Sequence, residues 1–419
     1  VKNDGGSDAA GRKLITSRLV GVAGQLPLQA KAVRAHVSKK AQYFTESVIR
    51  QMTRLAKQYG AINLAQGMPD FEAPPRIKSA AIKAIRDDLN QYEITWGSVE
   101  LRHAIVEKAR RFNGIEADPE TDITVTCGST EAMTGSIIAV TDPGEEVIIP
   151  EPFYENYVPA TIIAGARPRH VALRAPDFRF NEEELKKSFN SRTKAIILNT
   201  PNNPAGKVFA EEELRVIADL CADYDALAIT DEIYEYIVYD GRRHISIATI
   251  GDMHDRTVTI SGLSKTYSVT GWRLGYAIAA KDITSAVRKV HDFTTVCAPT
   301  PLQRAAVEAL KLPQSYYASL AKNYQKRRDF IVKSLRDIGF DPVEPEGAYY
   351  VLANFSALSK KDDVEFARYL VEEASVASVP ASSFYAHPEM GKKSVRFHFS
   401  KKDQTLREAA AKLATTLSK

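Results

Sequence analysis

Cysteine is scarce in this chain of 419 residues, with three in all: Cys127, Cys221 and Cys297. They lie far apart and share no CxxC spacing, which excludes a zinc knuckle or a disulfide framework and points to a reducing compartment. No metal-ligand set is expected. Excess charge is scarce too. Lys and Arg number 56 against 52 Asp and Glu, a formal net charge of +4, too small at this length to imply a polyanionic partner. No basic run interleaved with aromatics suggests a nucleic-acid surface. No apolar run reaches the length of a membrane span. Neither nucleic acid nor membrane is therefore expected as a partner.

What is present is ordinary for a globular protein: 44% hydrophobic and 26% charged residues. The length allows two domains, or one large domain with a substantial satellite. Residues 1–40 differ from the rest, beginning with small, flexible segments such as NDGGSDAAG and turning basic and poor in acid. They read as a flexible extension, either a disordered tail or a targeting segment, with no legible cleavage site. A cytoplasmic location is expected, and an organellar one if the extension is a transit segment.

Periodicity organises the remainder. A helix is expected from about Ala41 to Tyr59, ending at Gly60, then a short strand and turn in INLAQGMPDF. Helices follow at Ser79 to Arg86 and Ser98 to Phe112. Beyond them strands and helices alternate. DITVT, EEVIIPEP, KAIILN, ALAITDEIY, TVTISG and GWRLGYAIA read as strands, while the segment after Gly128 and EEELRVIADLCADY read as helices. This alternation predicts an α/β fold with a largely parallel sheet and helices on both faces. After about Leu310 a long basic helix, a mixed segment, SVRFHFS and a terminal helix read as a smaller α+β domain. The expected division is 1–40 extension, 41–74 an N-terminal helix and segment associated with the small domain, 75–309 large domain and 310–419 small domain.

Polar clusters recur just past the strand ends, where sites in such sheets collect. In TCGSTEA, Gly128, Ser129 and Thr130 open a helix and suit either a phosphate or a simple cap, since both use the same orphan N–H groups. In PEPFYENY, Phe153 or Tyr154 could stack on a planar ring or fill the core. In NTPNNPAG, Asn199 and Asn203 sit in a proline-restricted turn that could present amides to a ligand. Asp231 follows the strand ALAIT, where a partly buried carboxylate calls for a cationic partner such as a protonated ring nitrogen. Tyr234 could reach a phenolic oxygen on the same ring. In SGLSKTYSVTGWR, Lys265 could attack a carbonyl once deprotonated, and Arg273 could fork onto phosphate oxygens. Arg396, among aromatics in SVRFHFS, needs an anion: a substrate carboxylate or an internal ion pair. Jointly these parts describe pyridoxal 5′-phosphate bound as a Schiff base to Lys265, with Ser129, Thr130 and Arg273 on its phosphate, Phe153 on its ring and Asp231 on its nitrogen.

These segments, with NLAQGMPDF and NQYEITWG, resemble the class I/II aminotransferases of pyridoxal-phosphate fold type I. The resemblance runs from about Ser47 to the C-terminus and is closest to the kynurenine, glutamine and methionine aminotransferase branch. It implies a large domain with a central, mostly parallel seven-stranded sheet flanked by helices, plus a smaller α+β domain. It implies a homodimer with shared sites, in which Tyr92 reaches the phosphate in the partner's site. It further implies that Gly67 touches the substrate carboxylate through its backbone, and that Asn203 bridges cofactor hydroxyl and substrate. Tyr234 holds the hydroxyl and Arg396 clamps the α-carboxylate. Many relatives carry serine where this chain has Gly262, so Ser261 or Ser264 is expected to supply that phosphate contact. Val296-Cys297 stand where kynurenine-type enzymes place a Phe-His pair.

The expected reaction moves the amino group of an L-amino acid (neutral, aromatic or sulfur-containing) to a 2-oxo acid with ping-pong kinetics. Lys265, Asp231 and Tyr234 are the expected catalytic residues. The alternatives are a β-lyase or cyclase on the same cofactor, an aspartate- or alanine-type aminotransferase, and a non-enzymatic effector-binding regulator. The last lacks a convincing DNA-binding module in the sequence.

Overall fold

A computed structural model describes residues 36–417; the expectations for residues 1–35 lie outside them. Residues 36–45 belong to one unit and carry a single helical turn, α1 (Lys39–Gln42), capped by the Ser38 hydroxyl. The second unit begins at Glu46. Its first elements are α2 (Val48–Gln58), β1 (Ile62–Asn63), α3 (Pro75–Arg86), α4 (Val99–Lys108), β2 (Ile123–Thr126), α5 (Ser129–Val140), β3 (Glu146–Glu151), α6 (Tyr157–Ala164), β4 (Arg167–Arg174), β5 (Arg179–Phe180), α7 (Glu182–Ser188), β6 (Thr193–Asn199), α8 (Glu211–Asp223), β7 (Leu227–Asp231), β8 (Thr257–Gly262) and β9 (Gly275–Ile278). They continue as α9 (Lys281–Thr294), α10 (Thr300–Leu310), α11 (Gln314–Ile338), β10 (Asp341–Pro342), β11 (Tyr350–Asn354), α12 (Asp363–Glu372), β12 (Val376–Ala377), β13 (Val379–Pro380), β14 (Ser394–His398) and α13 (Asp403–Leu417).

The helix expected from Ala41 begins instead at Val48. Ser47 ends the preceding extended backbone and accepts a hydrogen bond from the Arg50 N–H at 3.2 Å, the N-cap role that hydroxyl residues favour.

The central sheet has eight strands in the order β2-β9-β8-β7-β6-β3-β4-β5. Seven were expected; the eighth is β5, a two-residue antiparallel edge on β4, too short to register as a periodic run. The neighbouring pairs from β8 through β7, β6 and β3 to β4 are parallel. β9 runs antiparallel to both β8 and β2, so the sheet is mixed, and β2 points the same way as β8.

Strand β6 shows why the sheet is buried on both faces. Its residues Ile196 and Leu198 join Leu214 and Ile217 of α8 in one core, while Ala195 and Ile197 join Met133 and Ile137 of α5 in another. Successive side chains point to opposite faces, so an unbroken apolar run fits a strand covered twice. Each fully buried isoleucine or leucine contributes about 1.5–3 kcal/mol.

Because β2, β3, β6, β7 and β8 share a direction, the segments after them emerge along one edge of the sheet. There the chain presents residues 127–130, 152–155, 200–204, 231–234 and 263–265. A second, four-stranded antiparallel sheet has the order β10-β11-β14-β13, with Arg396 of β14 opposite Leu352 and Val379. Its core gathers Leu335 of α11, Phe366 and Leu370 of α12, Phe397 of β14, and Leu406 and Leu413 of α13. A short parallel pair, β1 with β12, makes a third sheet. Among the described residues no helix is long and apolar enough to cross a membrane.

Candidate active site

A cavity of about 430 Å³ opens along this edge, and Ser129, Thr130, Asn199, Asn203, Asp231, Tyr234, Ser264, Lys265, Arg273 and Arg396 all line it. Of the other residues singled out in the sequence, Gly67 and Tyr154 line it as well.

One end is built from the start of α5. Gly128 precedes the helix with φ +86°, and no side chain caps the first N–H groups. A Cβ on Gly128 would fall 2.4 Å from Nη2 of Arg273. Glycine thus serves twice here: it tolerates the left-handed backbone and lets the guanidinium lie against the loop. Arg273 itself has φ +54° and donates from Nη1 to the Thr270 carbonyl at 3.1 Å. Uncapped helix N–H groups, two hydroxyls and a guanidinium form an anion site. No side-chain cap occupies these groups, which leaves them available to an anion.

Of the two serines near Gly262, only Ser264 reaches the cavity. Ser264 lines the cavity, whereas Ser261 is buried and donates to Oε1 of Glu235 at 2.7 Å. The expectation that Ser261 serves the phosphate is corrected on this point: its hydroxyl is held by a buried carboxylate. Gly262 is required by close packing, since a Cβ there would fall 2.8 Å from the Leu274 carbonyl oxygen of the adjoining strand segment.

Asp231 closes β7 at the floor. Its Oδ2 accepts from the Tyr157 hydroxyl at 2.9 Å, and Oδ1 meets only the Ile233 N–H, at 3.3 Å. Burial raises its pKa to about 6, against the opposing pull of Tyr157, the Ile233 N–H and Lys265. An ionised carboxylate here wants a cationic hydrogen-bond donor. Lys265 is half-buried, with Nζ 5.9 Å from the Tyr234 ring centre and 5.8 Å from that of Tyr349. The Tyr234 and Tyr350 hydroxyls share a hydrogen bond at 2.9 Å, and burial keeps Tyr234 protonated, pushing its pKa well above the ordinary value. Behind Asp231, Lys108 pairs with Glu235 at 2.5 Å, and His244 with Glu232 at 2.7 Å. This buried network anchors the segment 231–235.

Phe153, expected on the cofactor ring, is buried and stacked on His170 at 5.2 Å. The aromatics lining the cavity on this side are Tyr154 and Tyr157.

The opposite end holds Arg396. Its side chain is fully buried between the rings of Tyr350, 4.4 Å away, and Phe384, 4.7 Å away. Nη1 donates to Asn203 Oδ1 at 2.7 Å and Nη2 to the Ala65 carbonyl at 2.6 Å. Nε has no partner, and none of the described ion pairs engages the guanidinium. Burial lowers its pKa. A buried cation held by neutral acceptors, with its Nε unpartnered, is suited to an incoming carboxylate. Asn203 is itself set by Asn199, whose Oδ1 accepts the Asn203 N–H at 2.7 Å while its Nδ2 donates to the Asp231 carbonyl at 2.9 Å. The turn thus connects the floor to the carboxylate clamp. Gly67 adjoins it, with its carbonyl accepting from the Tyr349 hydroxyl at 3.1 Å.

Tyr92 does not line this cavity and is 83% exposed. Val296 has φ +77° and is also exposed. Sequence reasoning missed Tyr157 and Tyr350. Tyr157 lay within the quoted EPFYENY, three residues after Tyr154, so its signal was visible but unassigned. Glu155 at the cavity wall lay in the same segment, whereas Arg50 had no motif to mark it.

An idle buried guanidinium, an uncapped helix start and a carboxylate raised by burial are the three demands of a phosphorylated pyridine aldehyde and an amino-acid carboxylate, and the residues present fit both. Comparisons with known proteins agree. The family of class I and II aminotransferases matches residues 59–413. The chain is 36% identical to the methionine aminotransferase of Escherichia coli K12, over 88% of this chain and 95% of that protein. It is 36% identical to rat kynurenine–oxoglutarate transaminase 3, over 97% of this chain and 95% of the relative. Among solved structures, N-succinyldiaminopimelate aminotransferase from Mycobacterium tuberculosis superposes with a TM-score of 0.88 at 36% identity, covering 91% of this chain and all of that one.

Proposed function

Because the chain belongs to the class I and II aminotransferases, which use pyridoxal 5′-phosphate, we propose that it transfers the amino group of a neutral, aromatic or sulfur-containing L-amino acid to a 2-oxo acid. The observation that carries this is Arg396, buried with an idle Nε in the same cavity as Lys265 and Asp231. Ile49, Met68, Tyr154 and Tyr350 line the same cavity and favour an apolar substrate side chain. The relatives' names, methionine aminotransferase and kynurenine–oxoglutarate transaminase, point the same way.

Bound pyridoxal phosphate supplies an aldehyde carbon that takes up the amine and a pyridine ring that withdraws electrons. The chain's own groups do the rest. Ser129, Thr130, Ser264 and Arg273 hold the phosphate. Asp231 Oδ1 keeps a proton on the pyridine nitrogen, and Tyr157 keeps the carboxylate oriented. Tyr234 and Asn203 hold the ring hydroxyl. Arg396 receives the substrate α-carboxylate, orienting the α-carbon toward Lys265. Lys265 Nζ, in the same cavity, would take the α-proton from the substrate as general base. On this reading residues 75–309 hold the cofactor and residues 310–419 supply the carboxylate clamp. Two copies complete each other's sites, supported by the exposure of Tyr92 and of Phe293, the latter 91%.

The test is a half-reaction screen over amino donors without acceptor, followed by a screen over 2-oxo acids. A stoichiometric yield of the donor's own 2-oxo acid is expected, best with methionine, aromatic amino acids or glutamine. Release of ammonia and pyruvate from suitable donors would instead assign a β-lyase.

A further inference from the structure

Below the anion site lies a charged cluster with no part in the steps above. Glu131, in the first turn of α5, follows directly on Ser129 and Thr130. Its Oε2 accepts the Cys127 N–H, while Oε1 accepts from the Thr295 hydroxyl at 2.6 Å and meets Nδ1 of His291 at 2.6 Å. The other nitrogen of His291, Nε2, lies 2.8 Å from the Thr95 carbonyl oxygen. The His291 side chain is only 1% exposed.

Both ring nitrogens thus face acceptors, a carboxylate and a carbonyl. A neutral imidazole can donate from only one nitrogen, so satisfying both requires the imidazolium. Burial pulls the His291 pKa down, but the Glu131 hydrogen bond and charge, the Thr95 carbonyl and Asp292 together raise it above the ordinary value. The other ionisable groups around it are Asp292 and Arg288 on its own helix, Arg288 being bonded to the Ile123 and Glu120 carbonyls, and Cys127 beside Glu131, with Cys297 and Arg273 near that thiol.

A carboxylate in the same helical turn as an anion site opposes the anion. The imidazolium removes that opposition. It also ties the α5 turn to Thr95, three residues from Tyr92. We propose that His291, paired with Glu131, is a positioning residue for the phosphate end of the cofactor site: its positive charge cancels Glu131 and its two hydrogen bonds hold the loop 127–130 against the segment around Thr95. This rests on reading the Ser129–Thr130–Arg273 end as the phosphate site.

The experiment uses full-length protein freed of cofactor and two probes, pyridoxamine 5′-phosphate and pyridoxamine, neither of which bonds covalently to Lys265. Binding is titrated from pH 7 to pH 9.5, where the phosphate is already a dianion. In the wild type, affinity for the phosphorylated probe relative to the plain one should fall by about tenfold as pH rises through the His291 pKa. His291→Gln should show the weakened affinity already at pH 7 and lose that pH dependence. Glu131→Gln/His291→Gln, with the opposing anion also removed, should recover most of the loss. Equal weakening of both probes in His291→Gln, or an unchanged pH profile in that variant, would overturn the proposal. If His291→Gln does not fold, a wild-type ratio that is flat with pH overturns it alone. A wild type that binds both probes equally at pH 7 would instead sink the phosphate-site reading, a different failure.

Discussion

Arg273 reaches the cavity from an exposed turn after β8, whereas Arg396 reaches it from the middle of the buried strand β14. The first keeps much of its hydration and leans on the Thr270 carbonyl and the Gly128 backbone. The second is stripped of water, sandwiched by Tyr350 and Phe384, and left with an idle Nε. The contrast matches two tasks. A cofactor phosphate is a resident dianion already met by helix N–H groups and hydroxyls, so one more guanidinium adds to a shared load. On the proposed reading, a substrate carboxylate comes and goes and would meet mainly Arg396. Desolvation makes that single contact strong and selective.

The largest expected effect tests this division directly. Arg396→Gln should lower kcat/KM for amino acids by roughly a thousandfold, in the range for losing a buried, hydrogen-bonded charge, with cofactor affinity within about twofold of wild type. Arg273→Gln should do the reverse, weakening cofactor affinity by about thirtyfold while the loaded enzyme keeps its substrate KM. Spectroscopic titration of cofactor and steady-state kinetics on the same preparations read both. If each variant loses both ligands equally, the two ends are not separate.

The two ends also differed in how much the sequence disclosed. The phosphate end was legible because it is local: Gly128, Ser129 and Thr130 are contiguous, and Lys265 and Arg273 lie within nine residues. Parallel strands such as β6 followed from apolar runs such as AIIL, whereas β4, RPRHVALR, carries no such run and was not read. Arg396 was legible only as an arginine out of place among aromatics. Its idle Nε and its bond to Asn203, 193 residues away, are tertiary facts with no local period. The same holds for Tyr157 on Asp231, for Ser261 turning to Glu235, and for Phe153 turning to His170. Side-chain direction at strand ends depends on what packs behind, and periodicity does not report that. The strand β5 was missed for a simpler reason, having only two residues.

The next effect concerns the floor that both ends share. Asp231 titrates near pH 6 in the folded chain because it is buried, against 3.8 ordinarily. Its folded pKa is raised, so the native state binds the proton more tightly than the unfolded one. Stability from this group is therefore greatest below pH 3.8 and is lost as pH rises through about 6. The ionised group costs the cofactor-free protein about 3 kcal/mol at pH 8. Asp231→Asn should raise apo-protein stability at pH 8 by up to that amount, less at pH 5, while weakening cofactor binding and suppressing activity. Urea denaturation at the two pH values checks the sign. Loss of stability at pH 8 would mean that the Tyr157 bond, rather than burial, governs the site.

A smaller effect is expected at Gly262. Restoring the serine common among relatives would add a hydroxyl at the phosphate end but place a Cβ 2.8 Å from the Leu274 carbonyl oxygen. Crowding of this kind typically costs about 1–3 kcal/mol. Gly262→Ser should accordingly lower the denaturation midpoint without tightening cofactor binding. A tighter-binding, equally stable variant would show that the strands yield more than their spacing suggests.

The smallest effect separates the two neighbouring serines. Ser264 faces the cavity and has no structural burden, so Ser264→Ala should weaken the cofactor about fivefold, the worth of one hydrogen bond, and leave stability unchanged. Ser261 faces Glu235, a buried carboxylate also held by Lys108 and by the Asn113 amide at 2.8 Å. Removing one of three donors leaves the carboxylate partly unsatisfied, so Ser261→Ala should cost about 1–2 kcal/mol of stability with cofactor affinity within about twofold. The two serines lie three residues apart, and only the face each presents predicts opposite readouts. A cofactor defect in Ser261→Ala equal to that of Ser264→Ala would mean that the Glu235 network acts through Asp231 on the cofactor, joining the floor to the anion end in one unit.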